Sequence, residues 1–397
     1  MNICMVDYDI NPPWKEGVRR LAFELCKQLI KNGHSVTVVT ESRPKMLETD
    51  NINGTIFNRL SEKPFCLFVV KRIKELHQKN NFDILHFHNA LINRSFAMAL
   101  WRLRKALNIP MVSYTLLQSI FSMNTFSRFL KLAPREFFSL YSYYIAGTFV
   151  PKRFVRAEFE VMDRIITSSE NLRREMLNLG IESKRTEVIY PFIDLEELLS
   201  HANPDSFRKV VGVENTPIIS YIGSCRSSRL GIILKSLLLV KKQVRDFRFI
   251  LVTSSFRSRE TLDLATKLGL RSMIYPIIDT WVNVPSLLAA SDVYVYPGFS
   301  GLSSVDPPLT IIEAMTLGTP VVASDTGGIK EIVNEYENCK LVNPFDAEGM
   351  ASDIIDFIER GKSYEDRKRD LTYISDRFGS SNATRRFLEI YFNLTKN

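Results

Sequence analysis

Short apolar runs alternate with segments of helical periodicity along most of this chain, and that alternation narrows its fold more than any other feature. Ile3 to Val6 reads as a buried strand, followed by a loop holding Pro12 and Pro13. From Gly17 the apolar positions Val18, Leu21, Ala22, Leu25 and Leu29 recur at helical spacing, and Gly33 ends that helix before the strand Val36 to Val39. The pattern repeats: strand at Ile84 to Phe87, helix at Ser95 to Leu107, strands at Met111 to Tyr114 and Ile165 to Thr167, and a helix after Ser168. After a polar break at about 196 to 216 it starts again, with strands at Ile218 to Ile222 and Phe249 to Val252 around a helix from Ile232 to Val244. A strand at Val293 to Tyr296, a helix around Glu313 and a strand at Val321 to Ala323 complete it. Repeated β-α-β units imply α/β architecture with parallel sheets covered on both faces. Two doubly wound halves follow, with ligands expected at the carboxyl ends of their strands.

Composition agrees with that reading. A chain of 397 residues is too long for one ordinary core, and 45% hydrophobic with 24% charged residues is globular. The net charge of +8 suits an anionic partner without choosing a nucleotide, a membrane surface or a nucleic acid. The basic residues are spread out rather than gathered in a recognised module, which excludes nucleic acid as the expected partner. Cysteines at 4, 26, 66, 225 and 339 form no CxxC pair and read as free thiols in a reducing compartment. No apolar stretch reaches the roughly 18–20 residues of a bilayer span, and the N-terminus does not read as a signal peptide. A cytoplasmic location is expected.

The strongest chemical signal runs from Asp306 through Pro307, Pro308, Leu309, Thr310 and Glu313 to Gly318, Pro320, Gly327 and Gly328. It reads as a loop, a short helix, a Gly-Thr-Pro turn, a buried strand and a second glycine turn. Prolines suit the first turn of a helix, whose free N–H groups can hold an anion. Glu313 lies in an apolar run, where a carboxylate needs a partner. Ribose hydroxyls would serve, as would backbone N–H groups in a purely structural role.

This segment resembles glycosyltransferase family 4, retaining enzymes of the GT-B fold, and the resemblance extends over nearly the whole chain. It implies two Rossmann-like domains facing a cleft: 1–195 binding the acceptor, 196–377 binding a nucleotide-sugar donor, and 378–397 returning as a helix to the first. It implies that Glu313 binds the donor ribose and that the backbone at Leu309 and Thr310 meets the phosphates. The family's sugar-contacting acid falls on Val305 here, and Asp306, one residue on, is the candidate for that task.

Further signals have places in the same scheme. Gly223-Ser224-Cys-Arg226-Ser-Ser-Arg229 is a small-residue loop with two arginines after a strand, suited to a pyrophosphate. Arg229 falls on the family's lysine, while Ser224 falls on its arginine, leaving Arg226 as the substitute. Gly17 opens a helix where a ligand can approach backbone. His86, His88 and Asn89 end a strand whose edge the resemblance turns to the cleft, on the acceptor side. Leu116 stands where the family often has a histidine near the sugar. Asp7-Tyr8-Asp9 has a DxD spacing whose position favours coincidence. The segment 121–160 holds eleven aromatics, six Lys or Arg and three Glu. It reads either as core packing or as an interfacial surface, with Phe126, Phe129, Phe137, Phe138, Tyr143 and Tyr144 beside Arg128, Lys131, Arg135, Lys152 and Arg153.

The expectation is a retaining transferase that moves a hexose-type sugar from a UDP- or GDP-sugar to a glycan or lipid-linked acceptor in envelope polysaccharide or glycoconjugate synthesis. No cofactor and no metal is expected, because arginines and helix N-termini can meet the leaving phosphate. An anionic membrane is a further expected partner through 121–160. The departures at Ser224, Val305 and Leu116 define the alternative, an impaired homologue serving as a binding or regulatory subunit. A nicotinamide-dependent oxidoreductase is excluded by the absence of G-x-G-x-x-G after the first strand.

Overall fold

The computed structural model describes residues 1–12, 17–88, 94–116, 152–223, 227–253, 258–278, 282–298, 305–361 and 364–396. The first sheet contains β1 (Asn2–Val6), β2 (Ser35–Glu41), β3 (Thr49–Ile52), β4 (Thr55–Leu60), β5 (Ile84–His88), β6 (Met111–Thr115), β7 (Arg164–Thr167) and β8 (Thr186–Val188). Their order is β3-β4-β2-β1-β5-β6-β7-β8, parallel except for the pairing of β3 with β4. The second contains β9 (Ile218–Ile222), β10 (Arg248–Thr253), β11 (Ile274–Ile278), β12 (Val293–Tyr296), β13 (Val321–Ser324) and β14 (Cys339–Val342). Its order is β11-β10-β9-β12-β13-β14, and every pairing is parallel. Strand order reverses direction between β1 and β5 in one sheet and between β9 and β12 in the other. Those two crevices are where such folds take ligands.

Burial on both faces explains the continuous apolar strands. One face of the first sheet packs on the helix Gly17–Lys31, through Leu21, Leu25 and Leu29, and on the terminal helix Ser380–Thr395, through Phe387, Ile390 and Tyr391. The other face is covered by the helices Phe65–Asn80, Arg94–Ala106 and Lys152–Glu160. The chain enters the terminal helix through a backbone bridge in which the Ile193 N–H donates to the Phe378 carbonyl at 2.9 Å. The Ser380 N–H donates to the Ile193 carbonyl, also at 2.9 Å. The strands β3 and β4 and the helix Phe65–Asn80 were not expected from the sequence pattern. The edge strand β3 is half exposed and polar, so it lacks the apolar run that marks a buried strand.

The two domains are joined at Asp306. Its backbone N–H donates to the Leu116 carbonyl at 3.0 Å, and its carbonyl accepts from Ser168 Oγ at 2.6 Å. Its carboxylate accepts from Ser169 Oγ at 3.2 Å and Asn171 Nδ2 at 3.0 Å in the first domain, and from the Gly328 N–H at 2.6 Å in the second. Burial pushes the carboxyl upward from its ordinary range and these donors pull it back. The expected contact of Asp306 with the transferred sugar is therefore corrected: its oxygens are occupied by the domain junction. Glu331 adds a second tie, accepting from the N–H groups of Glu170 at 2.7 Å and Asn171 at 2.8 Å, the first turn of the helix Glu170–Asn178. A carboxylate there also meets the positive end of the helix dipole.

The glycine pair follows from this junction. A Cβ on Gly327 would lie 2.3 Å from Asp306 Oδ1, and the residue sits at φ +57°. Gly212, at φ +67°, has open space where its Cβ would go. Gly212→Ala should cost about 1 kcal/mol from backbone strain alone, and Gly327→Ala about 2 kcal/mol or more because it also disturbs the carboxylate seat. Urea midpoints of the two variants against wild type check this; equal losses would count against the junction.

Candidate functional site

The crevice between β9 and β12 brings together Gly223, Arg229, Leu309 and Thr310 of the residues singled out from the sequence. Gly223 directly follows β9, and a Cβ there would come within 2.6 Å of the Tyr221 hydroxyl, so any side chain would force the buried Tyr221 ring to shift. The expectation that Arg229 lies in a polar loop is corrected: it sits in the first turn of the helix Ser227–Gln243 and is buried. Its guanidinium lies 5.8 Å from the centre of the Tyr296 ring at the end of β12, so it spans the crevice. Ser224 and Arg226 lie outside the described residues.

Leu309 opens the helix Leu309–Thr316, and Pro308 before it supplies no side-chain cap. The first N–H groups of that helix therefore keep their capacity for an acceptor. The Thr310 hydroxyl accepts from Tyr294 Oη at 2.8 Å, which ties the helix to β12. The helix ends in a Schellman turn: the Gly318 N–H donates to the Met315 carbonyl at 3.0 Å and the Thr319 N–H to the Ala314 carbonyl at 2.9 Å, with Gly318 at φ +68°. The Gly-Thr-Pro motif is thus a helix stop, and it holds Glu313 one turn before the end.

Glu313 is wholly buried. Arg20 Nη2, from the first helix of the other domain, stands 2.6 Å from its Oε1. The contact is one of charge, because neither carboxylate oxygen receives a well-aligned hydrogen bond from a described residue. Arg20 was not anticipated. Its signal in the sequence is only the doublet Arg19-Arg20 in the first turn after Gly17, and its partner lies almost three hundred residues away.

In the first domain Gly17 meets the second domain directly: a Cβ there would touch Val305 at 3.6 Å and Leu309 at 3.7 Å, ordinary contact distances. The acceptor-side reading of His86 and His88 is corrected. His86 is buried beneath the terminal helix, its Nδ1 2.5 Å from Tyr391 Oη, and burial together with His88 holds it well below its ordinary value. His88 Nε2–H donates to the Val18 carbonyl at 3.2 Å, and burial lowers its pKa to about 3. Both rings are neutral core side chains. Asn89 lies outside the described residues, as does 117–151, which contains most of the aromatic and basic segment. The described remainder is the helix Lys152–Glu160, with Lys152, Arg153 and Arg156 exposed and Phe159 in the core. The DxD spacing resolves into separate roles. Asp9 pairs with Arg19 at 2.6 Å and Arg43 at 2.5 Å. Asp7 is buried, accepts the Asp9 N–H, and is pushed up to about 7 by burial.

Comparison with known proteins fits this arrangement. The profile of Glycosyltransferase Family 4 matches residues 15–197, and that of Glycosyl transferases group 1 matches residues 216–360. This chain belongs to glycosyltransferase family 4. The transferase is 23% identical over 391 residues to the N-acetyl-alpha-D-glucosaminyl L-malate synthase of Bacillus anthracis, covering 94% of this chain and 93% of that protein. Its fold is that of the sucrose-phosphate synthase of Thermosynechococcus elongatus, with a TM-score of 0.79 at 18% identity over 100% of this chain and 99% of the other. It is also that of HepE of Anabaena in complex with UDP-glucose, at 0.70 and 17% over 99% and 100%. The transferase therefore has the GT-B fold, two Rossmann-like α/β domains.

The histidines give a measurable signature. The unfolded transferase takes up a proton on His88 near pH 6.5, whereas the folded one resists until about 3. Stability contributed by neutral His88 is therefore complete above pH 6.5 and falls by about 1 kcal/mol per pH unit below it. Asp7 and Glu158, held up at about 7 and about 8, act with the opposite sign, so the histidine is isolated by difference. The destabilisation caused by His88→Gln should shrink between pH 7.5 and pH 5.5 in urea titrations. A constant difference would contradict a buried neutral ring.

Proposed function

We propose that this glycosyltransferase moves a hexose-type sugar, with retention, from a UDP- or GDP-sugar to a glycan or lipid-linked acceptor in cell-envelope polysaccharide or glycoconjugate synthesis. The observation that carries the donor assignment is Glu313: a wholly buried carboxylate on the helix beside the β9–β12 crevice, with Oε2 lacking a hydrogen-bond partner among the described residues. A ribose offers the two neighbouring hydroxyl donors that such a carboxylate needs. Support for a nucleotide-sugar comes also from HepE of Anabaena, which shares the fold and was solved with UDP-glucose.

In this reading the N–H groups at Leu309 and Thr310 meet the donor phosphates, and Arg229 stabilises the charge that grows on the leaving diphosphate. The bond from the anomeric carbon to phosphate oxygen breaks. A bond to the acceptor oxygen forms on the same face, and the acceptor hydroxyl proton goes to the leaving phosphate. The positive charge comes from the protein, so the reaction runs without a metal. Glu313→Gln should weaken donor affinity about tenfold with the fold intact, since a hydrogen bond to a charged group is replaced by a neutral one. Arg229→Ala should lower turnover by about 10²–10³. Calorimetric donor titration and UDP release measure the two. Unchanged affinity in the first variant rejects the ribose contact, and unchanged turnover in the second rejects the role of Arg229.

The enzyme is read as cytoplasmic and as peripheral on the inner membrane face, through 121–160. Of that segment the described part presents Lys152, Arg153 and Arg156 to solvent, and each such cation near anionic lipid contributes about 1 kcal/mol. Among the described residues no helix is long and apolar enough to cross a membrane. Wild type should float with anionic liposomes at low salt and be released by high salt; failure to float rejects the membrane contact. The alternative of a binding subunit is favoured by one observation, the burial of Val305 and Leu116 in a single apolar cluster. Donor binding without any release of UDP would decide for it.

A further inference from the structure

Glu313 poses a problem that its own domain does not solve. It lies in the helix sequence Leu-Thr-Ile-Ile-Glu-Ala-Met-Thr, where every residue from Ile311 to Thr316 is buried. An ionised carboxylate in such a place needs a cation and hydrogen-bond donors. The hydroxyls near it are engaged elsewhere: Tyr294 Oη donates to Thr310, and the Thr316 hydroxyl donates to the Ile312 carbonyl at 2.8 Å. The cation comes from the other domain. Arg20 reaches Oε1 at 2.6 Å from the first turn of the helix Gly17–Lys31, and its side chain remains 36% exposed. It also borders an interdomain cleft of about 400 Å³ with Glu24, Lys27, Glu197 and Leu309. The neighbouring charges are already matched, Lys27 with Glu197 at 2.5 Å and Arg19 with Asp9 at 2.6 Å, which leaves Arg20 as the cation that serves Glu313.

We infer that Arg20 is a positioning residue of the donor site: by pairing with Oε1 it orients the Glu313 side chain and leaves Oε2 available to the ribose hydroxyls of the donor. The inference rests on the proposed ribose contact of Glu313. It makes the nucleotide site a product of both domains, so that ribose recognition depends on a side chain of the domain assigned to the acceptor. Arg20 itself need not touch the ribose. Its effect passes through Glu313, and that separates it from a residue that binds phosphate directly.

The test compares UDP with 2′,3′-dideoxy-UDP by calorimetry, with GDP and its dideoxy analogue run in parallel. Wild type should prefer the ribose form by about tenfold to a hundredfold, the range for hydrogen bonds to a charged group. Arg20→Ala should lose most of that preference while binding the dideoxy form as wild type does. Arg20→Lys should retain part of it. Glu313→Gln should lose it alone, and adding Arg20→Ala to Glu313→Gln should change little further. Because Arg20→Ala leaves a buried carboxylate unpaired, the double variant serves as the folding control. An Arg20→Ala protein that keeps the full preference overturns the inference. One that weakens both nucleotides equally does so as well, because Arg20 would then act on the phosphates. A wild type without any preference overturns instead the ribose reading beneath it.

Discussion

A carboxylate removed from water must be met by donors, and Asp306 is met from both domains at once. Ser169 and Asn171 stand on one side, the Gly328 N–H on the other, while its backbone is bonded to Leu116 and Ser168. These bonds fix where the segment after residue 305, part of the second domain, is seated against the first. Leu309 follows three residues later and starts the helix that carries Glu313. The position of the Glu313 carboxylate is therefore set by the first domain through two routes, the anchored backbone before the helix and the Arg20 guanidinium that reaches its side chain. Glu331 strengthens the same junction by accepting two N–H bonds from the start of the Glu170–Asn178 helix. A site assembled this way keeps its geometry only while the domains remain seated on each other.

The parts of this architecture legible in the sequence are those whose causes are local. Strands such as β1, β5 and β12 are buried on both faces, so their apolar runs announce them. The Gly-Thr-Pro turn was readable as a helix stop because the Schellman pattern needs only a glycine at one position. Asp306 was misread for the opposite reason. An acid near the expected place resembles a sugar ligand until the distant Ser169, Asn171 and Gly328 are seen to claim it. The His86-x-His88 spacing is similar. Alternate residues of a strand share a face, and which face depends on a helix that returns three hundred residues later to cover it. Arg20 was invisible because an ion pair between domains leaves no periodicity in either segment.

The two apolar departures from the family pattern are coupled by the same geometry. Read along the chain, Val305 and Leu116 are independent substitutions nearly two hundred residues apart. In the fold they join one apolar cluster, and the Asp306 N–H to Leu116 carbonyl bond brings their backbones together. Gly17, which opens the first helix, lies against Val305 as well. An acid at 305, or a histidine at 116, would be a polar group inside this apolar cluster and would need a partner there. Both positions are apolar, and the cluster is continuous across the domain junction. The two substitutions therefore form a single apolar lining of the place where the domains meet, beside the Arg20–Glu313 pair that also crosses between them.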